Sequence, residues 1–195
     1  MRATNAPMRG NEPDPDERAR RGEKIIILDR GNVEFGYPGD WTVTPDPEGF
    51  MKLTDPADQA RLEASYLRLP PLPPDAPSVE ERLRYALAET PEAGPLTPIV
   101  SVERTDMQLA WAEYRYECDD TDRGERRRAR GRWLVAANRH FQTLLTYYYW
   151  DDDAGWAVPA WERVVETLRL GDGDPLESPK DHWAVRQWKN KPRPR

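Results

Sequence analysis

The stretch FQTLLTYYYW, residues 141–150, has apolar side chains on both faces of a predicted β-strand. Successive strand residues point to opposite faces of a sheet. One face therefore carries Phe141, Leu145, Tyr147 and Tyr149, and the other carries Leu144, Tyr148 and Trp150. A strand that is apolar on both faces must be covered on both faces. We therefore predict an α+β fold, in which a central antiparallel sheet has a helix packed on each face, rather than a two-sheet β-sandwich.

The sequence around this strand predicts the rest of the sheet. No proline occurs between residues 99 and 158, so this half of the chain can form long uninterrupted strands. Prolines are frequent between residues 38 and 98, which predicts short elements joined by turns. The predicted strands are 24–28, 33–37, 41–44, 50–53, 61–69, 99–105, 107–118, 130–138 and 141–150.

Two helices are predicted to cover the sheet. The first begins after Ser78, an N-cap that forms a capping box with Glu81. Its apolar stripe consists of Val79, Leu83, Ala86 and Leu87. The second spans 159–170, with Pro159 in its first turn and Gly171 as its left-handed stop. Its apolar stripe consists of Trp161, Val164, Val165 and Leu168.

The 195 residues fit one domain with a tail at each end. Residues 1–23 are charged and hold almost no large apolar side chains, which predicts a charged N-terminal tail. A single domain is predicted over 24–170. Residues 171–195 are predicted to form a basic C-terminal tail that contains tryptophan.

The tryptophans of the C-terminal tail allow two interpretations. Trp183 and Trp188 lie among six basic residues in the segment 180–195. The indoles either fold back onto the tail's own domain or form, with Arg186, a docking segment for a protein partner, because Trp and Arg are frequent in interface hot spots.

Composition excludes several classes of protein. No apolar run reaches the length of a membrane span, and the N-terminus shows no apolar signal region, so we expect a cytoplasmic protein. The single Cys118 cannot form an internal disulfide, and with two histidines it cannot build a Cys/His zinc site. The net charge of −6 argues against a general nucleic-acid binder.

Two stretches resemble the PsbP-like α/β/α family. Residues 35–70, FGYPGDWTVTPDPEGFMKLTDPADQARLEASYLRLP, are similar to its opening hairpin, Asp-Pro turn and strand. Residues 132–170, RWLVAANRHFQTLLTYYYWDDDAGWAVPAWERVVETLRL, are similar to its closing hairpin and terminal helix. The family includes an extrinsic photosystem subunit, a Ran-binding nuclear import factor, the envelope protein DcrB and chaperones of type VI secretion effectors.

The resemblance implies a non-enzymatic domain, with no catalytic residues and no cofactor to carry over. Tyr37, Pro38 and Trp41 match the opening motif of the family, and the resemblance implies a structural role for them.

Six arginines between residues 123 and 132 could contact phosphates. A turn near Gly124 would place Cys118 opposite Arg130. The register of the next hairpin would place Asp151–Asp153 beside residues 126–128. With the acids at 117–122, we predict a self-compensated ion-pair network, and nucleic-acid or phosphate binding is kept as an alternative.

The sequence gives only weak support to other candidate sites. Asp151–Asp153 could bind a hard cation, but alternating side-chain directions and the nearby arginines argue against a metal site. Cys118 and His140 fall at opposite ends of their hairpins, on the order of 30 Å apart, too far for a catalytic pair. Cys118 is predicted to be a small apolar residue beside Tyr114 and Tyr116. The remaining catalytic alternative is an enzyme whose carboxylate active site is not marked by a recognisable sequence motif.

Aromatic side chains are the remaining candidates for a binding site. Trp111, Trp133, Tyr147 and Tyr149 lie on three neighbouring predicted strands, where they either pack in the core or line a groove for a peptide or an apolar ligand. We predict a non-catalytic binding or accessory protein with a protein partner. The sequence predicts neither the identity of the partner nor the oligomeric state.

Overall fold

The computed structural model describes residues 22–47, 49–73, 75–88, 97–121 and 123–173. Trp183, Arg186 and Trp188, and with them nearly all of both predicted tails, lie outside these ranges. The described strands are β1 (Lys24–Leu28), β2 (Val33–Tyr37), β3 (Thr42–Pro45), β4 (Met51–Thr54), β5 (Ala60–Arg68), β6 (Val100–Glu103), β7 (Gln108–Asp120), β8 (Glu125–Ala137), β9 (Phe141–Trp150) and β10 (Arg169–Leu170). The helices are α1 (Val79–Ala88) and α2 (Ala154–Thr167).

A seven-stranded antiparallel sheet in the order β3-β4-β5-β9-β8-β7-β6 forms the centre of the fold. Strand β9 is the middle strand and pairs with β5 on one side and β8 on the other. Its bounds are those predicted from the sequence. The remaining strands, β1, β2 and β10, form a small second sheet.

Helix α2 and the small sheet cover one face of the large sheet. The ring of Trp161 on α2 stacks on Tyr147 of β9, with 5.8 Å between ring centroids and 8° between ring planes. Phe35 of β2 and Leu145 of β9 belong to the same apolar cluster. This face carries the larger of the two cores.

Helix α1 covers the opposite face. Leu83 and Leu87 pack in one cluster with Tyr114 of β7 and Val135 of β8. Ser78 and Glu81 form the predicted capping box: the Ser78 backbone N–H donates to Glu81 Oε2 at 2.8 Å, and the Glu81 N–H donates to Ser78 Oγ at 3.2 Å. The predicted class, an antiparallel sheet with a helix on each face, is therefore confirmed.

The predicted register of one hairpin was wrong. In β8–β9 the pair Ala129–Trp150 follows the predicted register. In β7–β8, however, Cys118 lies opposite Arg127 and not opposite Arg130. Gly124, with φ of +66°, is the last residue of the loop and not its centre, and its N–H donates to the carbonyl of Asp120 at 2.7 Å. This loop shifts the pairing by three residues.

The predicted bounds of the last helix were also wrong. The 3₁₀ turn Asp151–Asp153 leads directly into α2, so Pro159 lies inside the helix and not in its first turn. The helix ends at Thr167 because the chain bends to pair β10 with β2. Gly171 has no positive φ and is not the helix stop.

Candidate functional site

An open groove of about 920 Å³ lies at the end of the large sheet where the chain enters β7. Its volume falls within the range of ligand-binding clefts, roughly 300–1,000 Å³. Three segments that are distant in the sequence meet there: the crossover before α1, the β6–β7 turn and the β8–β9 turn. Among the residues that line it are Leu72, Pro73, Ala76, Pro77, Val79, Arg82, Glu103, Arg104, Asp106, Met107, Ala137, Arg139 and Asp172.

One wall of the groove is apolar. The proline-rich crossover contributes Leu72 and Pro73, and the side chain of Leu72 is among the exposed large apolar side chains. Met107 and Val79, which are buried, contribute to the lining from the β6–β7 turn and from α1. The Ala76 N–H donates to the Pro73 carbonyl at 3.0 Å, so the crossover makes a turn beside the groove before α1 begins.

The β8–β9 turn forms another side of the groove and is held by Asn138. Its Oδ1 accepts hydrogen bonds from the N–H groups of His140 and Phe141, both at 2.8 Å. Its Nδ2 donates to the carbonyl of Gly171 at 3.0 Å. One side chain therefore fixes both the turn and the segment that leaves β10.

The arginines of the groove are bound to the protein itself. Arg104 donates to the carbonyls of Val165 at 2.9 Å and Leu168 at 3.2 Å, at the C-terminal end of α2. Arg82 donates to the Pro77 carbonyl and to Gln142 Oε1, both at 2.8 Å, and its burial lowers its pKa. Arg139 donates to Nε2 of its neighbour His140. Cations at a helix C-terminus interact favourably with the free carbonyls, which explains the position of Arg104.

The carboxylates of the groove, unlike its arginines, are not held by side-chain hydrogen bonds to other described residues. Glu103, Asp106 and Asp172 are exposed, and none of them forms an ion pair with another described residue. An apolar wall next to three unpaired carboxylates suits a ligand that carries both apolar groups and positive charges. None of these three acids was singled out in the sequence, because they become neighbours only when the β6–β7 turn and the end of β10 come together.

At the opposite end of the sheet, the arginine hairpin is a self-compensated network, as predicted. The carboxylate of Glu113 accepts from Arg132 Nε at 2.7 Å, from the Tyr149 hydroxyl at 3.1 Å and from Arg130 Nη1 at 3.3 Å. Arg130 is also bound to Asp151. Burial raises the pKa of Tyr149 to about 12. The hydrogen bond to Asp151 and the charge of Glu113 raise the pKa of Arg130 against the opposing effect of burial.

The outer arginines are paired as well. Arg127 Nη1 lies 2.7 Å from Asp120 Oδ2, and its guanidinium lies 4.4 Å from the centre of the Trp150 ring. Arg126 and Arg128 both face Glu117, at 3.4 and 3.9 Å. Among the described residues, each of the six arginines between residues 123 and 132 therefore lies within 4 Å of a carboxylate, with Arg126 and Arg128 sharing Glu117.

Pro38 and Trp41 of the opening motif line a small cleft of about 130 Å³ between the β2–β3 turn and α2, whereas Tyr37 is buried in the larger core. Trp41 is buried and stacks on Tyr147 with 6.0 Å between ring centroids. Asp55, which also lines the cleft, accepts backbone N–H groups of Ala57, Gln59 and Ala60 at 2.5–3.0 Å. This carboxylate therefore holds the β4–β5 turn and is not free for acid–base chemistry.

The aromatic candidates fall into two groups. Tyr147 and Tyr149 are 1% exposed beneath α2, so their placement corresponds to the core interpretation. Trp111 and Trp133 are half-buried and lie on opposite faces of the sheet. The four residues do not line one common surface.

Cys118 and His140 are far apart, as predicted. Gln108, at the start of β7, pairs with Ala137 beside the turn that holds His140, whereas Cys118 lies ten residues further along β7. Burial raises the pKa of the half-buried Cys118 thiol, which disfavours the nucleophilic thiolate. In the part of the chain that the structure describes, no three His, Cys, Asp or Glu side chains are placed to hold a metal ion, and no helix has the length and apolar character to cross a membrane.

Comparison with solved structures shows that this arrangement is the PsbP-like fold. Cyanobacterial PsbP from Synechocystis matches with a TM-score of 0.57 and 13% identity, over 76% of this chain and 92% of PsbP. The Ran-binding protein Mog1p from Saccharomyces cerevisiae matches with a TM-score of 0.52 and 7% identity, over 77% of this chain and 96% of Mog1p. A crystal structure from Bacteroides thetaiotaomicron matches with a TM-score of 0.52 and 16% identity over 77% of this chain, which spans 50% of the length of that protein.

Within this fold, the chain belongs to the Alr1449 family, whose sequence profile matches residues 24–173. The alr1449 protein of Nostoc is 30% identical over 167 residues, which cover 82% of this chain and 83% of the Nostoc protein.

Proposed function

We propose that this protein is a non-catalytic binding or accessory protein and that it binds a protein partner in the groove at the start of β7. The observation that carries the proposal is the difference in hydrogen bonding between the basic and the acidic side chains of the groove. The arginines of the groove donate hydrogen bonds to neutral groups of the protein, whereas the side chains of Glu103, Asp106 and Asp172 are exposed and form neither a hydrogen bond nor an ion pair with another described residue.

The partner chemistry follows from this arrangement. The three carboxylates attract Lys or Arg side chains, and the wall formed by Leu72, Pro73 and Met107 offers apolar contact. A partner segment with mixed basic and apolar side chains fits the groove.

The relatives support a binding role in a general way. The yeast protein of this fold is described as Ran-binding, and such a role needs no catalytic residues. The buried carboxylates of the described chain also support it: Glu113 is bound by two arginines, and Asp55 by backbone N–H groups. A free buried carboxylate pair, which an enzyme of the alternative class would need, is not found in the described ranges.

The experiment is affinity capture from cells with a charge-reversed groove. Glu103→Lys combined with Asp106→Lys should lose the captured partner, because both carboxylates become positive. The matched control is Asp119→Lys with Glu125→Lys, which makes the same change of net charge on exposed residues at the other end of the sheet. Partner loss in both variants, or in neither, would contradict the proposal. The cytoplasmic location expected from the sequence remains a prediction, which cell fractionation tests.

A further inference from the structure

The chain leaves the described structure at the groove. Asp172 lines the groove, and Gly173 is the last described residue. The exit is fixed by two hydrogen bonds of Gly171, whose N–H donates to the Asn32 carbonyl at 2.9 Å and whose carbonyl accepts from Asn138. Gly173 packs so closely that an added Cβ would lie 2.4 Å from Asn32 Oδ1. The segment that follows therefore starts at the mouth of the groove.

The composition of this segment matches the groove. It has 22 residues, 174–195, and contains Trp183 and Trp188. Its part 180–195 has six basic residues and one acidic residue. The groove offers an apolar wall and three exposed carboxylates that form no ion pair with another described residue, while its arginines donate hydrogen bonds to neutral groups of the protein.

The segment is also long enough. Trp183 lies ten positions after Gly173, and an extended chain spans up to about 3.3–3.6 Å per residue. Both indoles can therefore reach any part of the groove. A short tether gives an effective concentration on the order of millimolar, so even weak contacts hold a tethered segment in place.

We propose that residues 174–195 dock in cis in this groove, with Trp183 and Trp188 against the apolar wall and the basic side chains facing Glu103, Asp106 and Asp172. This proposal rests on the proposed function because both use the same groove. It adds that the C-terminal segment competes with the partner. The protein then carries its own competing ligand, and the partner must displace it.

The first test is ¹⁹F NMR of the full chain labelled with 5-fluorotryptophan. The signals of Trp183 and Trp188 are assigned with Trp183→Phe and Trp188→Phe. We expect both signals to lie away from the position of the free segment peptide and to move to it in the variant with Glu103→Lys and Asp106→Lys. The control with Asp119→Lys and Glu125→Lys should leave them unmoved. Signals at the free-peptide position in the unmodified protein would overturn the proposal.

The second test uses a labelled synthetic peptide of residues 174–195 as the probe. The full chain with Trp183→Ala and Trp188→Ala should bind it about tenfold more tightly than the unmodified chain, because its own segment no longer competes. Adding Glu103→Lys and Asp106→Lys should remove this binding. Equal affinity for the two chains, or no binding to the tryptophan variant, would overturn cis docking.

The two proposals fail differently. Loss of the partner from the groove variant, together with equal peptide affinities, keeps the proposed function and rejects cis docking. Peptide binding that needs the groove, together with partner capture that does not, keeps cis docking and rejects the proposed function.

Discussion

Glu113, on β7, is a buried carboxylate whose partners come from β8 and from β9, the strand beyond it. Arg130 and Arg132 lie on β8, and the Tyr149 hydroxyl comes from β9. The three strands are therefore joined by side chains as well as by their backbones. Charges buried in this way are stabilising only as a set, because the removal of one partner leaves the others buried and unpaired.

This arrangement predicts a large effect of Glu113→Gln. The substitution should lower the free energy of unfolding by about 3–5 kcal/mol, because it leaves the guanidinium groups of Arg130 and Arg132 without their shared counter-charge. Glu117→Gln is the matched control on the same strand: its side chain is 55% exposed, and its ion pairs should be worth less than about 1 kcal/mol. Urea denaturation measures both. Equal effects would show that the Glu113 network does not stabilise the fold.

Gly131 illustrates a packing constraint. It lies opposite Tyr114, and an added Cβ would come within 2.4 Å of the Tyr114 ring. Gly131→Ala should therefore lower the free energy of unfolding by about 1–3 kcal/mol. Gly155→Ala, in α2 with open space around the site, should be neutral or stabilising by up to about 1 kcal/mol. Thermal denaturation compares the two, and a neutral Gly131→Ala would mean that Tyr114 can move aside.

The raised pKa of Tyr149 predicts that the free energy of unfolding depends on pH. The pKa of this residue is raised by burial to about 12 in the folded protein, against about 10 in an unfolded chain. Its contribution to stability is therefore complete below pH 10 and is lost as the pH rises through 12. Tyr149→Phe should show a smaller fall in the free energy of unfolding between pH 10 and 12 than the unmodified protein. The same fall in the free energy of unfolding for Tyr149→Phe and the unmodified protein would contradict the raised pKa of Tyr149.

At the level of elements, α1 is defined by its cap. The Ser78 hydroxyl accepts from the Glu81 N–H and also donates to its carboxylate at 2.9 Å. The hydrogen bonds that the Ser78 backbone N–H and the Ser78 hydroxyl donate to the carboxylate of Glu81 lower its pKa. The helix has ten residues, too few to be stable in isolation, so its cap and its apolar stripe must both contribute.

Loss of the cap has a defined expected effect. Ser78→Ala should lower the free energy of unfolding by about 1 kcal/mol, whereas Ser78→Asp, which keeps an acceptor at the N-cap, should retain most of it. Chemical denaturation of the two variants gives the comparison. A full loss in Ser78→Asp would mean that the effect does not come from capping.

Some elements could be predicted from the sequence because local signals define them. Gly, Pro and Asp flank β1 and β2, and β9 is marked by apolar side chains on both of its faces. The predicted bounds of these three strands were confirmed. The β7–β8 register could not be predicted, because one residue type at a turn does not fix the loop length. The start of α2 was misplaced because the rule that puts proline in a first turn was applied to Pro159, although packing of Ala157 extends the helix further upstream.

At the level of the whole molecule, the two ends of the sheet differ in how their charged side chains are paired. At the end that holds Gly124, arginines and carboxylates form ion pairs with one another, whereas the charged side chains of the groove form no ion pair with another described residue. The groove could not be predicted, because it is assembled from segments around residues 72, 105, 138 and 172 that only the fold brings together. It is the feature of the described chain best suited to bind a basic, apolar segment.

Site-specific photo-crosslinking in cells tests this central claim most directly. The photoreactive amino acid p-benzoylphenylalanine would replace Leu72 in the groove or, as a control, Ile25, an exposed apolar residue on the small sheet. We predict crosslinks from position 72 to a protein partner or to residues 174–195, and none of these products from position 25. An absence of crosslinks from position 72, or the same products from both positions, would contradict the assignment of the groove as the binding surface.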